Sequence, residues 1–252
     1  MKKTILGFAS AIALLAGTAS AQVAAPPAKP IELPKDIAYP GTLEITVDAT
    51  DLDHKIFAIH EVVPVTKSGD LVLMLPKWLP GHHSPGTDIA KIADLMVTAG
   101  GSNIGWVRDT VDVNAFHINV PKGAKSVTVD FKFLSATTAA AGRTVMTPDM
   151  ISLQWNSNSL YPAGYYASRI PIKATVKIPS GWGYGTGLET ESKTDDTIVF
   201  KTTDYDTLVD SPLIIGHYFK TWDLDAPGEA PVYLSAMADS PELLNASDDV
   251  IA

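Results

Sequence analysis

The side chains that could do chemistry in this chain are few, and the motif nearest to a zinc site is incomplete. A thermolysin-type site needs His-Glu-x-x-His on a helix, where the spacing puts both imidazoles on one face beside the metal-bound water. The nearest approach is His60-Glu61-Val62-Val63-Pro64, where proline replaces the second histidine and the segment has strand character. We interpret this match as a coincidence.

The one histidine pair, His82-His83, does not complete a metal site either. Neighbouring residues on a strand point to opposite faces, and no third ligand follows at a recognisable spacing. Ser84 beside His83 is no evidence of a catalytic pair, because such pairs are assembled in space rather than by adjacency. The chain has no Gly-x-Ser-x-Gly motif and no cysteine. The sequence therefore predicts no catalytic residue and no metal ligand.

Other polar or glycine-rich runs are interpreted as turns. Asp51-Leu52-Asp53 lacks the glycine and the distal glutamate of a calcium loop. The acidic stretch at Asp204, Asp206 and Asp210 is expected to be solvated. The run from Gly181 to Gly187 has no lysine for a phosphate, so we expect an irregular turn or a bulged strand.

Two loops are candidates for contact with a substrate or another domain. The segment 76–86 is dense in turn residues, and the segment 160–166 carries three tyrosines. Tyrosine and tryptophan suit interfaces because they combine apolar area with a polar tip. The alternative is that these aromatics only cover the ends of the core. The candidate residues are Trp78, His82, His83, Ser84, Tyr161, Tyr165 and Tyr166.

The elements that must position these loops are strands, because apolar residues alternate with polar ones. Residues 43–47, 127–133 and 172–178 alternate in this way. Further strands are predicted at 55–63, 70–75, 94–98, 151–155, 196–202, 213–222 and 230–237, and a strand over 111–120 with a bulge near Asn114-Ala115. We expect an all-β fold, an antiparallel β-sandwich or extended sheets, with a short helix start at Ser240-Pro241-Glu242.

The sequence predicts a signal peptide, a linker, one large domain and the start of another. Residues 1–21 have a basic start, an apolar run and a small-x-small site, which is the pattern of a signal peptide. We therefore expect export to the periplasm or beyond, with no membrane attachment after cleavage. A proline-rich linker is expected over 22–40, a β domain over 41–238 and the start of another domain over 239–252. The net charge of −9 argues against a nucleic-acid partner.

Several short motifs resemble one family in their order and spacing. Residues 73–81, Leu-Met-Leu-Pro-Lys-Trp-Leu-Pro-Gly, are similar to the "LPxWxPG" segment of glycyl aminopeptidases, metallopeptidase family sixty-one. Ile89-Ala90 to Leu95 follows where that family has a short helix and strand. Matching segments come next at Ile178–Trp182, Thr186–Leu188, Asp206–Pro212 and Gly216–Phe219.

The resemblance implies an N-terminal β-sandwich followed by a thermolysin-like domain that holds zinc. The parent enzyme would remove small N-terminal residues from peptides, and this chain would end before its catalytic domain. Its partners would be that domain and the peptide substrate. Two alternatives stay open, a stand-alone exported module that binds peptide or glycan, and a purely structural surface domain.

Overall fold

The computed structural model describes residues 30–78, 85–86, 89–224 and 232–246, and they form an all-β fold, as predicted. Within these ranges, the two α-helices are short, α1 (Trp155–Asn158) and α2 (Tyr205–Val209). No helix there is long and apolar enough to cross a bilayer. The strands are β1 (Leu43–Asp51), β2 (Ile56–Pro64), β3 (Gly69–Met74), β4 (Ile92–Ala99), β5 (Ser102–Ile104), β6 (Trp106–Arg108), β7 (Ala115–Val120), β8 (Ser126–Leu134), β9 (Met150–Leu153), β10 (Tyr161–Pro162), β11 (Pro171–Lys177), β12 (Gly183–Gly185), β13 (Thr190–Lys193), β14 (Thr197–Phe200), β15 (Thr203–Asp204), β16 (Leu213–Gly216), β17 (Tyr218–Asp223) and β18 (Tyr233–Ala238).

The strands are arranged in one large sheet and three smaller ones. The large sheet has the order β13-β14-β11-β1-β2-β8-β4-β5, with β15 beside β11. The smaller sheets are β10-β3-β7-β6, β12-β16-β9 and the hairpin β17-β18. The alternation predicted from the sequence is visible in β1, where Leu43, Ile45 and Val47 are buried and Glu44 is exposed. These inward residues join those of the sheets β10-β3-β7-β6 and β12-β16-β9 in one core cluster.

One strand pair departs from the expected antiparallel arrangement. β1 and β11 run parallel, with Leu43 opposite Ile172 and Val47 opposite Val176. A parallel pair cannot be joined by a tight turn and needs a long connection. Here the connection is the whole chain from β2 to β10. Alternation within single strands carries no information on this pairing, so the sequence did not predict it.

The predicted strand over 111–120 is wrong in its first part. Residues 111–113 form a turn, in which the carboxylate of Asp109 accepts the N–H groups of Val111 and Asp112, both at 2.8 Å. Val111 is 83% exposed, so its apolar side chain does not mark a core face. Because β7 begins only at Ala115, the strand is not interrupted at Asn114-Ala115 and the predicted bulge is absent.

Three further elements differ in detail from the sequence interpretation. Asp204 caps α2 by accepting the N–H of Thr207 at 2.9 Å, so this residue has a structural role, whereas Asp206 and Asp210 are exposed as expected. The expected strand 213–222 is interrupted at His217 and forms β16 and β17. At the C-terminal end, the predicted short helix start is present as a single 3₁₀ turn over Pro241–Leu244. Residues 247–252 lie outside the described part.

The hairpin β17-β18 packs closely on glycines of the sheet β12-β16-β9. A Cβ atom built on Gly183 would lie 2.5 Å from the Cβ of Phe219, and one on Gly216 would lie 2.7 Å from the Cβ of Met237. Carbon atoms in contact lie near 3.5–4.0 Å, so no side chain fits at either position. The glycine-rich run from Gly181 to Gly187, which we expected to be an irregular turn or a bulged strand, therefore contains β12, where the hairpin packs closely on the sheet.

We expect Gly183→Ala to lower the free energy of unfolding by about 1–3 kcal/mol, because overpacking forces the hairpin away from the sheet. Gly105→Ala is the matched control, since a Cβ there would have no neighbour within 4 Å. Urea denaturation measures both variants, and hydrogen exchange reports whether β17 and β18 loosen. Equal stability of the two variants would contradict the packing described here.

Candidate functional site

Three of the seven predicted loop residues lie together in one open cleft. We call this the tyrosine cleft; it has a volume of about 380 Å³. It lies between the N-terminal segment 31–34, the end of β3, the turn 109–115 and the segment 160–167, which we call the tyrosine loop. The lining side chains include Ile31, Leu33, Met74, Asp112, Tyr161, Tyr165 and Tyr166.

Backbone hydrogen bonds hold the tyrosine loop on both sides. In β10, Tyr161 pairs with Met74 of β3, and the N–H of Ala163 donates to the carbonyl of Val72 at 2.9 Å. On the other side, the N–H of Lys35 donates to the carbonyl of Gly164 at 3.1 Å. The expected linker is therefore attached to the domain at Lys35. The chain reverses at Gly164, whose φ of +93° favours glycine.

The tyrosines divide between the core and the surface. Tyr165 meets Tyr39 edge to face at 4.9 Å between ring centroids, and Tyr161 lies 5.2 Å from Tyr205. Burial, with a smaller contribution from the charge of Asp112, raises the pKa of Tyr161. Tyr166 is 49% exposed. Tyr161 and Tyr165 thus pack against the core, while Tyr166 is available for contact with a substrate or another domain, which stays a prediction.

An ion pair brings the start of the second candidate loop to the same cleft. The ammonium group of Lys77 contacts the carboxylate of Asp112, which lines the cleft. Trp78 is the next residue, and its side chain is 57% exposed. The other candidates in this loop, His82, His83 and Ser84, lie outside the described residues. Their role stays a prediction.

The turn that carries Asp112 is fixed by a histidine between two carboxylates. His117 Nε2 lies 2.9 Å from Asp109 Oδ2, and His117 Nδ1 lies 3.4 Å from Asp70 Oδ2. The N–H groups of Asp112 and Val111, together with His117, lower the pKa of Asp109 to about 2. We assign this group a structural role, because Asp109 is buried and its bonds hold the turn.

A buried carboxyl group next to the tyrosine loop was not predicted from the sequence. Glu61 is fully buried, and its Oε2 accepts the N–H of Leu160, the residue before Tyr161, at 2.9 Å. Burial raises the pKa of Glu61 to about 8. The signal was present, because Glu61 has the same parity in β2 as the buried residues Phe57, Ile59 and Val63.

The His60-Glu61 pair does not fit a zinc ion. The two residues are neighbours on β2 and point to opposite sides, so Glu61 enters the core while His60 faces solvent. His60 Nδ1 lies 2.7 Å from Asp130 Oδ1 across the sheet. Within the described ranges, no three histidine, aspartate or glutamate side chains are arranged to hold a metal. The segment lies on a strand, as its sequence predicted, rather than on the helix that the zinc motif requires.

Comparison with known proteins gives one family and a fold relative. The sequence model of the family described as "Peptidase M61 N-terminal domain" matches residues 44–217. No curated protein matches the chain. Among solved structures, an aminopeptidase N family protein from Idiomarina loihiensis is similar, with 19% identity and a TM-score of 0.63. The match covers 77% of this chain and 32% of that chain, so this chain spans about a third of the relative's length.

Proposed function

Because the chain belongs to the family of the peptidase M61 N-terminal domain, we propose that it is the non-catalytic β domain of an exported zinc aminopeptidase. It docks a catalytic domain and forms one wall of the substrate cleft. The catalytic domain supplies zinc and activates water, and the parent enzyme removes small N-terminal residues from peptides. The family fits the resemblance found in the sequence and the all-β fold.

The observation that carries the proposal is the tyrosine cleft. Clefts that bind ligands are commonly apolar with a few polar groups, and they often lie between domains. Here Met74, Ile31 and the tyrosine rings supply apolar surface, and Asp112 supplies charge. The exposed side chains of Tyr166 and Trp78 extend this surface toward solvent. A cleft with one open side is what a domain forming half of a substrate site would present.

We expect Tyr166→Ala to lower kcat/KM by roughly tenfold in a peptidase that carries this domain joined to a catalytic domain. Loss of an aromatic contact at the centre of an interface costs more than about 1 kcal/mol, and 1.4 kcal/mol corresponds to a factor of ten. Peptide hydrolysis measured under kcat/KM conditions tests this. The thermal stability of the domain alone should stay unchanged, because the side chain is half exposed.

Met96→Ala is the matched control, since Met96 is 47% exposed on β4 of the large sheet and does not line the cleft. If Tyr166→Ala and Met96→Ala leave hydrolysis equally unaffected, the cleft is not part of the substrate site. Binding of peptide or glycan by the domain alone, with affinity lost in Tyr166→Ala, would instead support the stand-alone module.

A further inference from the structure

Glu61 connects the tyrosine loop to the centre of the large sheet. Its strand, β2, is hydrogen-bonded to β1 on one side and to β8 on the other. Its Oε2 accepts the N–H of Leu160 at 2.9 Å, and both residues are buried. Leu160 directly precedes Tyr161 of the cleft. The carboxyl group therefore fixes the start of the loop relative to a strand that cannot shift by itself.

The second carboxyl oxygen of Glu61 is buried without a hydrogen-bond partner among the described residues. Two titratable groups lie near enough to Glu61 to interact with its charge, the phenols of Tyr39 and Tyr205. Both phenol protons are used elsewhere. Tyr39 donates to the carbonyl of Pro64. The hydroxyl of Ser159 donates to the carbonyl of Trp155 at 2.7 Å, so Tyr205 must donate to Ser159, also at 2.7 Å.

This environment favours the neutral carboxyl group. A charged carboxylate with one hydrogen bond and no cation loses its hydration without replacement, which is costly. Burial is the largest cause of the raised pKa of Glu61, about 8, and the N–H of Leu160 opposes it. Around neutral pH the side chain is therefore mostly protonated, and ionisation requires that water reach the carboxylate.

Water can reach Glu61 only if the segments packed over it open locally. The large sheet around β2 is held by continuous ladders on both sides. Outside the large sheet, the residues that interact with Glu61 belong to short segments: Leu160 at the start of the tyrosine loop, Tyr39 in the N-terminal segment and Tyr205 in α2. The N-terminal segment is bonded to the tyrosine loop by Lys35 N–H to Gly164 at 3.1 Å and Tyr166 N–H to Lys35 at 3.4 Å. On its other side the loop pairs with β3 only over the two residues of β10 and the N–H of Ala163. Segments with so few bonds open before a central strand does.

We propose that Glu61 is a positioning residue that holds the tyrosine loop while its carboxyl group is neutral, and that its ionisation releases the loop. The cleft then has an ordered wall at neutral pH and a loosened wall in mildly alkaline conditions. A loosened wall would lower peptide hydrolysis by the parent enzyme only if the proposed function holds. The movement of the loop does not depend on that function, so the two can fail separately.

Hydrogen exchange of the chain alone tests the proposal, with rates corrected for the intrinsic effect of pH. Between pH 6 and pH 9 we expect exchange over residues 159–166 to rise about tenfold or more, while β2 and β8 stay protected. Burial raises the pKa values of Tyr39 and Tyr205, so neither phenol ionises in this range. An unchanged rate in the wild-type loop overturns the proposal.

Glu61→Gln separates ionisation of this side chain from other effects of pH. The amide keeps an acceptor for Leu160 and cannot ionise, so its loop should stay protected at pH 9. Glu44→Gln is the matched control, because Glu44 lies on the adjacent strand opposite Val62 and is exposed; it should behave like wild type. If the loop of Glu61→Gln opens as much as that of wild type, Glu61 is not the cause.

A second measurement does not depend on the folding of any variant. Infrared difference spectra of the wild-type chain should lose one protonated carboxyl band between pH 7 and pH 9. The midpoint of this loss should coincide with that of the exchange of residues 159–166. Loop opening without loss of a carboxyl band would overturn the proposal. Failure of Tyr166→Ala to affect hydrolysis would leave this result standing and would count only against the proposed function.

Discussion

Replacing Trp155 with alanine is expected to lower the free energy of unfolding by about 3–5 kcal/mol. Trp155 is among the largest fully buried side chains, and its indole N–H donates to the carbonyl of Ser211 at 3.0 Å. The substitution leaves a cavity at α1 and removes a link between α1 and the residues that lead into β16. A loss of this size is a large part of the 5–15 kcal/mol stability of a typical domain. Urea denaturation followed by far-UV circular dichroism measures it.

Trp78→Ala is the matched control, because its side chain is 57% exposed. We expect a change in stability within about 0.5 kcal/mol, as for other surface substitutions. Trp155→Phe should lie between the two, since the ring is largely kept while the hydrogen bond to Ser211 is lost. A large destabilisation by Trp78→Ala would show that this residue belongs to the core, and would remove it from the candidate interface.

The stability of the domain is expected to fall as pH rises from about 4.5 to about 8, and Glu61 is the cause. The pKa of Glu61 is raised from 4.5 to about 8 in the folded chain. Within this window the folded chain retains a proton that the unfolded chain has lost, so rising pH favours unfolding. Each pKa unit corresponds to 1.36 kcal/mol, and the full shift amounts to at most about 5 kcal/mol.

Glu61→Gln should remove most of this slope. The variant is expected to be as stable as wild type near pH 4.5 and more stable than wild type at pH 9, as measured by urea denaturation at each pH. Glu44→Gln, which removes an exposed carboxyl group, should keep the wild-type slope. Parallel curves for wild type and Glu61→Gln would mean that the folded chain does not protonate Glu61 preferentially.

Asp109 acts in the opposite direction at low pH. Its pKa is lowered to about 2 by the bonds from the N–H groups of Asp112 and Val111 and from His117. A carboxyl group with a lowered pKa stabilises the fold at pH values above its pKa in the unfolded chain. This stabilisation is lost as the pH falls through its pKa in the folded chain. The contributions of the two groups therefore have opposite signs, that of Asp109 being lost at low pH and that of Glu61 at high pH.

The sequence predicted the elements that depend on local alternation. β1, β8 and β11 were found because half of their residues face one core, and period-two patterns reveal such strands. Trp78, Tyr161, Tyr165 and Tyr166 were selected by residue type and loop context, and the structure brings the three tyrosines into one cleft. The motifs shared with the peptidase family agreed with the later match.

What the sequence did not predict depends on contacts between distant segments. The parallel pairing of β1 with β11 and the close packing on Gly183 arise from the tertiary fold. Val111 was misread because the turn is made by a side chain, that of Asp109, rather than by a turn-forming dipeptide. Glu61 was dismissed with the motif that contains it, although its position among buried residues of β2 marked it as unusual.

The parallel pairing at the centre of the large sheet has a consequence for how the molecule forms. β1 lies near the start of the chain, and it can pair with β11 only after β2 to β10 have been synthesised. Contacts between segments so distant along the chain slow folding, because a large loop must be closed before they are gained. During synthesis, one edge of β1 therefore stays unpaired until β11 emerges, and a chain interrupted before Pro171 retains a bare sheet edge that is prone to aggregation.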